Sequence, residues 1–169
     1  MRRHSVPIKY CGAFSQNIKD VHAVLKRYGR AVRGATETLM DSAVSQLNVL
    51  VVDDDDSMRH LLCRMLKRMN AAGVVATASG EQALRQLESG RDPVDIVIAD
   101  WNMPGMSGLE LFKRVRSAKP RMPFLLVTGR DDAASIVAAR TTGIPAYVVK
   151  PVSPQELNAK IAFLRKNPG

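Results

Sequence analysis

The sequence predicts an α/β protein built on a doubly wound parallel sheet. Three observations lead there. Beyond residue 47, short apolar runs rich in β-branched residues alternate with segments whose apolar residues recur at i, i+3 and i+4, giving five β/α units. The runs are apolar at nearly every position rather than every second one, as expected of strands covered by helices on both faces. Capping and stop residues fall between them at helix-start and helix-end offsets.

Asn48-Val49-Leu50-Val51-Val52 is the first strand and ends in acid. Met58, Leu61, Leu62, Met65, Leu66 and Met69 then mark one apolar helix face, with the methionines as core filler. Gly73–Thr77 is the second strand, and Ser79 with Gln82 forms a capping box that opens the second helix. Asp95–Ala99 is the third strand, ending at Asp100. Ser107 and Glu110 form another capping box before Leu109, Leu111, Phe112 and Val115, and Pro120 stops that helix. Phe124–Val127 is the fourth strand. A helix is expected over 132–142, closed by Gly143 as its C′ residue. The fifth strand is Ala146–Val149. Ser153, Pro154 and Glu156 supply the N-cap, N1 and N3 residues of a last helix reaching about Lys166.

With 169 residues, the chain holds one domain and an appendage at roughly 100–200 residues per domain. Its 46% hydrophobic and 24% charged residues exclude wholesale disorder, collagen-like repeats and disulfide scaffolds. No apolar run approaches the roughly 18 residues of a membrane span. Two distant cysteines, Cys11 and Cys63, without a secretory apolar region, point to a reducing, cytoplasmic setting. His4, His22 and His60 are too scattered for a histidine metal site. The net charge of +9 is uneven: residues 1–47 hold eight Lys/Arg against three Asp/Glu. We therefore place a basic extension at 1–46 and the domain at 47–169. The extension is unstructured or carries at most one basic amphipathic helix, with Ile18, Val21, Leu25, Tyr28 and Val32 among Lys19, Lys26, Arg27, Arg30 and Arg33. Its Gly29 and Gly34 weaken that helix.

In an open α/β sheet, ligands bind beyond the carboxyl ends of the strands. There the chain places Asp53, Asp54, Asp55 and Asp56 after strand one, Asp100 at strand three, Thr128 at strand four, and Lys150-Pro151 after strand five. Two carboxylates about 4 Å apart at an effective dielectric near 20 repel by roughly 4 kcal/mol, so Asp53, Asp54 and Asp100 gathered at one edge need compensation. A hard divalent cation and one ammonium supply it: Mg²⁺ takes one or two carboxylates together with phosphate oxygens, and Lys150 holds a phosphoryl oxygen as a point charge. An aspartate in such a field can attack phosphorus. Asp55 and Asp56 are read only as favourable charges at the positive end of the first helix. Trp101 is a cover beside the site. The run Lys113, Arg114, Arg116, Lys119 and Arg121 is read as a solvated helix face.

Val51-Val52-Asp53-Asp54, Asp100-Trp101-Asn102-Met103-Pro104, Val127-Thr128-Gly129 and Tyr147-Val148-Val149-Lys150-Pro151 stand in the order and at the spacing of one family. From Leu47 onward the chain resembles the receiver domains of bacterial two-component response regulators, most of all the single-domain chemotaxis regulators. The resemblance implies a flavodoxin-like sheet in the order 2-1-3-4-5, borrowed from that chemotaxis regulator, for which it is already established. It implies Asp100 as phosphoacceptor and Asp53, Asp54, Asp100 and the Asn102 backbone carbonyl as the Mg²⁺ ligands. Thr128 and Lys150 would hold phosphoryl oxygens. Thr128 and Tyr147 would form a switch that remodels the surface made by the fourth helix, fifth strand and last helix. Lys150-Pro151 would be cis.

The function implied is a signalling module, not an enzyme in the ordinary sense. It would take a phosphoryl group from a histidine kinase and lose it slowly. With no output domain after Lys166, it is expected to act by binding a downstream protein; no nucleic-acid partner is expected. Two alternatives stand beside it. Asp53-x-Asp55-x-Ser57 after an apolar strand resembles the nucleophile loop of haloacid-dehalogenase-type phosphatases, with Asp53 as nucleophile and Asp55 as acid. The basic leader would alternatively make the chain a phosphate-independent adaptor.

Overall fold

A computed structural model of the chain describes residues 42–129 and 143–167. The leader helix, Arg130 and the helix expected over 132–142 lie outside the described residues. The described elements are β1 Asn48–Val52, α1 Asp56–Arg68, β2 Gly73–Thr77, α2 Gly80–Ser89, β3 Ile96–Asp100, α3 Gly108–Ala118, β4 Phe124–Thr128, β5 Ala146–Val149 and α4 Pro154–Lys166.

All strand pairs are parallel, and the sheet runs β2-β1-β3-β4-β5. This is the flavodoxin-like order. Side chains of successive strand residues point to opposite faces, and the core divides accordingly. Val49, Val51, Ile96, Ile98, Leu125 and Val127 pack with Leu62 and Leu66 of α1 and Leu157, Ile161 and Leu164 of α4. Leu50, Val52, Val97, Ala99, Phe124 and Leu126 pack with Ala83 and Leu87 of α2 and Leu111, Phe112 and Val115 of α3. Truncating a fully buried leucine such as Leu66 or Leu157 to Ala would cost about 2–5 kcal/mol.

Helix starts follow the expected chemistry, with two changes of partner. Ser79 Oγ accepts from Gln82 N, but the Gln82 side chain takes the Ala78 N–H rather than that of Ser79. Ser107 Oγ accepts from Glu110 N, while the Glu110 carboxylate turns along the helix to Arg114 at 2.7 Å. Ser153 caps α4 through Glu156 N, with Pro154 in its first turn. Gly143 adopts φ +72°, the left-handed conformation expected of a C′ glycine.

Packing reaches upstream of the 46/47 boundary. Val44 is completely buried in the α1/α4 side of the core. Asn158 Oδ1 on α4 accepts from both Ser42 Oγ and Ala43 N, and Arg165 donates to the Ala43 carbonyl. Residues 42–46 thus pack with the folded unit, with two α4 side chains satisfying the Ala43 backbone and Gln46 N donating to the Asn70 carbonyl.

Candidate functional site

The sheet order brings the chemistry together. β1 lies beside β3, β3 beside β4 and β4 beside β5, so the residues following each strand meet on one edge at the point where chain direction across the sheet reverses. Asp53 follows β1 and is fully buried, with its N–H on the Thr77 carbonyl at 3.2 Å. Asp100 ends β3 and is 6% exposed. Lys150 follows β5 and is fixed by its own N–H on the Thr128 carbonyl at 2.7 Å. The Lys150-Pro151 bond is cis.

The Lys150 ammonium sits 2.6 Å from Asp100 Oδ1 and 3.3 Å from Asp53 Oδ2. The other oxygens are also engaged. Asp53 Oδ1 accepts from Asp55 N at 2.9 Å, and Asp100 Oδ2 accepts from Asn102 N at 3.0 Å. Oxygens of Asp53, Asp54 and Asp100 lie within 4.8 Å of one another, with Asp54 on the exposed side. Burial raises the Asp53 carboxyl above the usual carboxylate value and the Asp100 charge adds to it, against the Asp55 N–H and Lys150. Burial pulls Lys150 down, yet hydrogen bonding and charge from Asp100 and Asp53 outweigh it and hold the ammonium above its usual value.

Three carboxylates against one ammonium leave two negative charges when all are ionised. A divalent cation would balance that remainder, and the donors are hard oxygens of the kind Mg²⁺ takes. The residues fit such an ion in their geometry: oxygens of all three acids lie within 4.8 Å of one another, one of the acids fully buried.

The remaining residues are placed around this centre. Thr128 is buried at the end of β4, its hydroxyl 3.4 Å from the Gly129 carbonyl. Tyr147 lies on β5, half-buried against the α2/α3 side of the core, with Lys160 Nζ 5.5 Å from its ring centroid. Trp101 is 7% exposed beside Asp100. Asp55 is the N-cap of α1, its Oδ1 accepting from Ser57 N at 2.7 Å and Met58 N at 3.1 Å. Asp56 opens α1 and pairs with Arg59, which also donates to the Asp53 carbonyl at 2.7 Å.

Two residues to which the sequence reading gives no role support the site. Gly108 begins α3 directly over the phosphoacceptor candidate: a Cβ there would lie 2.1 Å from the Asp100 carbonyl oxygen. Glycine in a capped first turn, where alanine is better by up to about 1 kcal/mol, was the available signal. Glu81 on α2 lies against the loop after Asp100, its Oε1 3.2 Å from where a Cβ on Gly105 would stand, a neighbour invisible to local pattern.

Comparison with known proteins bears on this arrangement. Residues 49–162 match the family described as the response regulator receiver domain. The chain belongs to this family. It is 38% identical over 117 residues to a chemotaxis protein CheY homolog of Campylobacter jejuni, covering 68% of this chain and 89% of the relative. To chemotaxis protein CheY1 of Helicobacter pylori it is 35% identical over 117 residues, covering 68% and 94%. Among solved structures it is similar to a response regulator receiver domain protein of Clostridium thermocellum, with TM-score 0.64, 28% identity, and 71% and 96% coverage of the two chains. A CheY-like receiver domain protein of Methanospirillum hungatei superposes with TM-score 0.61 at 28% identity, covering 69% and 91%.

As a receiver, the protein is a response regulator of two-component signalling and not a typical enzyme. The dehalogenase-type alternative is thereby overturned. Its acid, Asp55, spends its carboxylate on the α1 N-terminus, and its nucleophile, Asp53, is fully buried against Lys150. Among the described residues, no helix is long and apolar enough to cross a membrane. The leader-based adaptor alternative falls on residues outside the described ones.

Proposed function

We propose that this receiver accepts a phosphoryl group on Asp100 from a histidine kinase and, so modified, presents an altered surface to a downstream protein. The observation that carries the reading is the Asp53, Asp54, Asp100 and Lys150 cluster, with Lys150 bridging the buried acid and the acceptor. Asp53, Asp54, Asp100 and the Asn102 carbonyl would hold Mg²⁺. Bound there, the ion offsets negative charge on the incoming phosphoryl oxygens.

An Asp100 oxygen attacks phosphorus, the bond from phosphorus to the kinase imidazole breaks, and an acyl phosphate remains. The new group carries roughly −1.5 to −2 charges. Lys150 then moves its interaction from the Asp100 carboxylate to a phosphoryl oxygen, and Thr128 donates its hydroxyl to another. Lys150 directly follows β5, three positions after Tyr147, and in this reading a shift of Lys150 is passed along that strand to the aromatic ring. A phosphoryl group shifts a two-state surface only through such differential contacts. The surface concerned comprises β5, α4 and residues 132–142. The chemotaxis relatives favour a chemotaxis pathway or a related two-component pathway.

The test is incubation with acetyl phosphate and Mg²⁺ followed by intact mass. The wild type is expected to gain one phosphoryl group and Asp100→Asn none. An adduct on Asp100→Asn, or rapid multiple turnover without Asp100, would overturn the reading. Deleting residues 1–39 is expected to leave the rate unchanged, since every site residue lies beyond position 50.

A further inference from the structure

The loop that follows Asp100 is pinned at three places. At its start, Asn102 N donates to Asp100 Oδ2 at 3.0 Å. At its end, Gly108 N donates to the Trp101 carbonyl at 2.9 Å while its Cα rests over the Asp100 carbonyl. In the middle the loop meets the first turn of α2. Gly105 turns there at φ +76°, and a Cβ on it would lie 3.2 Å from Glu81 Oε1. A Cβ on Gly80 would meet Met106 Sδ at 2.8 Å, and Met106 is 5% exposed. The Glu81 carboxylate is held below its usual range first by its own backbone N–H and the Ser79 hydroxyl, then by the Arg85 charge and, least, across the gap, by the Met106 N–H.

We infer that Glu81 is a positioning residue for the receiver site: by gripping the loop at Gly105 and Met106 it keeps Asn102 on Asp100 and so sets the affinity for Mg²⁺. The inference rests on the phosphoacceptor reading and extends it to a residue on a different β/α unit. The physical argument is preorganisation. A loop already fixed in its ligand-holding conformation loses little freedom when the ion arrives, whereas a loosened one must be ordered by the ion, which weakens binding. Partners that orient metal ligands are typically worth 10–100-fold in affinity. Glu81 acts through the loop backbone, so the lower end is expected.

A glutamate in a first turn also supports its own helix through the macrodipole, and the experiment separates that role. Binding of Mg²⁺ alone to the full chain is measured by Trp101 fluorescence and by calorimetry, alongside thermal melts without metal. Glu81→Ala is expected to weaken Mg²⁺ binding roughly tenfold and slow labelling by acetyl phosphate in proportion. Glu81→Gln keeps an acceptor oxygen for Met106 N and is expected to stay near wild type. Gly105→Ala strains the left-handed turn as well as crowding the Glu81 carboxylate and is expected to weaken Mg²⁺ binding too; because that strain acts without Glu81, it is Glu81→Asp, whose shorter side chain draws the carboxylate away from the loop and is expected to weaken Mg²⁺ binding, that decides the matter if Glu81→Ala does not fold. Wild-type Mg²⁺ affinity in folded Glu81→Ala, in Glu81→Asp or in Gly105→Ala would overturn the inference, as would Glu81→Gln being as impaired as Glu81→Ala. A wild type that binds no Mg²⁺ would overturn the phosphoacceptor reading and this inference with it.

Discussion

The two ends of the sheet make opposite use of their charges. At the amino ends of β3 and β4, Val94, Asp95, Lys119, Pro120, Arg121, Met122 and Pro123 line a cleft of about 550 Å³. Its charges hold the fold together: Asp95 Oδ2 accepts from Asn48 N and Asn48 Nδ2, and Lys119 Nζ donates to the Leu87 carbonyl. At the carboxyl ends three acids cluster, and two of them, Asp53 and Asp100, share the Lys150 ammonium. At the amino end Asp95 and Lys119 spend their charged groups on hydrogen bonds to their own chain; at the carboxyl end the clustered acids outnumber the ammonium beside them. Uncompensated charge at strand ends is the feature that sets the carboxyl edge, the proposed reacting edge of this receiver, apart from the amino edge.

The largest effect expected from disturbing the contrast is at Lys150. Lys150→Ala should still be labelled by acetyl phosphate, because transfer leans on the metal, but should lose the coupling to Tyr147. Amide exchange around Tyr147 with and without beryllofluoride measures this. An unchanged beryllofluoride response in the variant would sink the coupling mechanism. Gly108→Ala should come next. Its Cβ would drive into the Asp100 carbonyl and Leu126, and overpacking of this kind costs about 1–3 kcal/mol, read as a lower denaturant midpoint together with slower labelling.

At the opposite edge, Asp95→Ala should lower stability by about 1 kcal/mol through its lost hydrogen bonds to Asn48 and leave labelling intact. A labelling defect there would break the division between the two edges.

The smallest effect concerns Asp55, an acid at the reacting edge whose charge is already used. Its carboxyl is lowered by the Met58 and Ser57 N–H groups. A depressed acid contributes stability that is fully present above its unfolded value of 3.8 and is lost as pH falls through the lower folded value. Asparagine caps about as well without titrating. Urea midpoints of wild type and Asp55→Asn should therefore run together above that value, with the wild type falling away on further acidification. Parallel curves throughout would show that the cap carries no such linkage.

Much of this was legible in the sequence because it is written in local pattern. β1, β3 and β4 read as strands from their apolar runs, and Ser79, Ser107 and Ser153 marked helix starts. The acids and the lysine declared themselves by ending strands of a parallel sheet. What escaped depends on contacts between distant segments. Nothing local to Ala43-Val44 shows that Asn158 and Arg165 will hold Ala43 or that Val44 will be buried in the core. Gly108 and Glu81 matter for where Asp100 and Met106 arrive, which a one-dimensional pattern does not carry. The alternative carboxylate reading failed for a related reason: spacing offered Asp55 as an acid, but the helix behind it had prior use for that oxygen.

At the carboxyl edge Asp53, Asp54 and Asp100 outnumber the single ammonium of Lys150 by two charges when all are ionised, a deficit that a divalent cation would make up. Mg²⁺ titration followed through Trp101, whose indole adjoins Asp100, in the wild type, Asp54→Ala and Asp95→Ala tests this directly. A saturable fluorescence change is expected in the wild type and in Asp95→Ala, lost or much weakened in Asp54→Ala. Equal responses in Asp54→Ala and the wild type would contradict it.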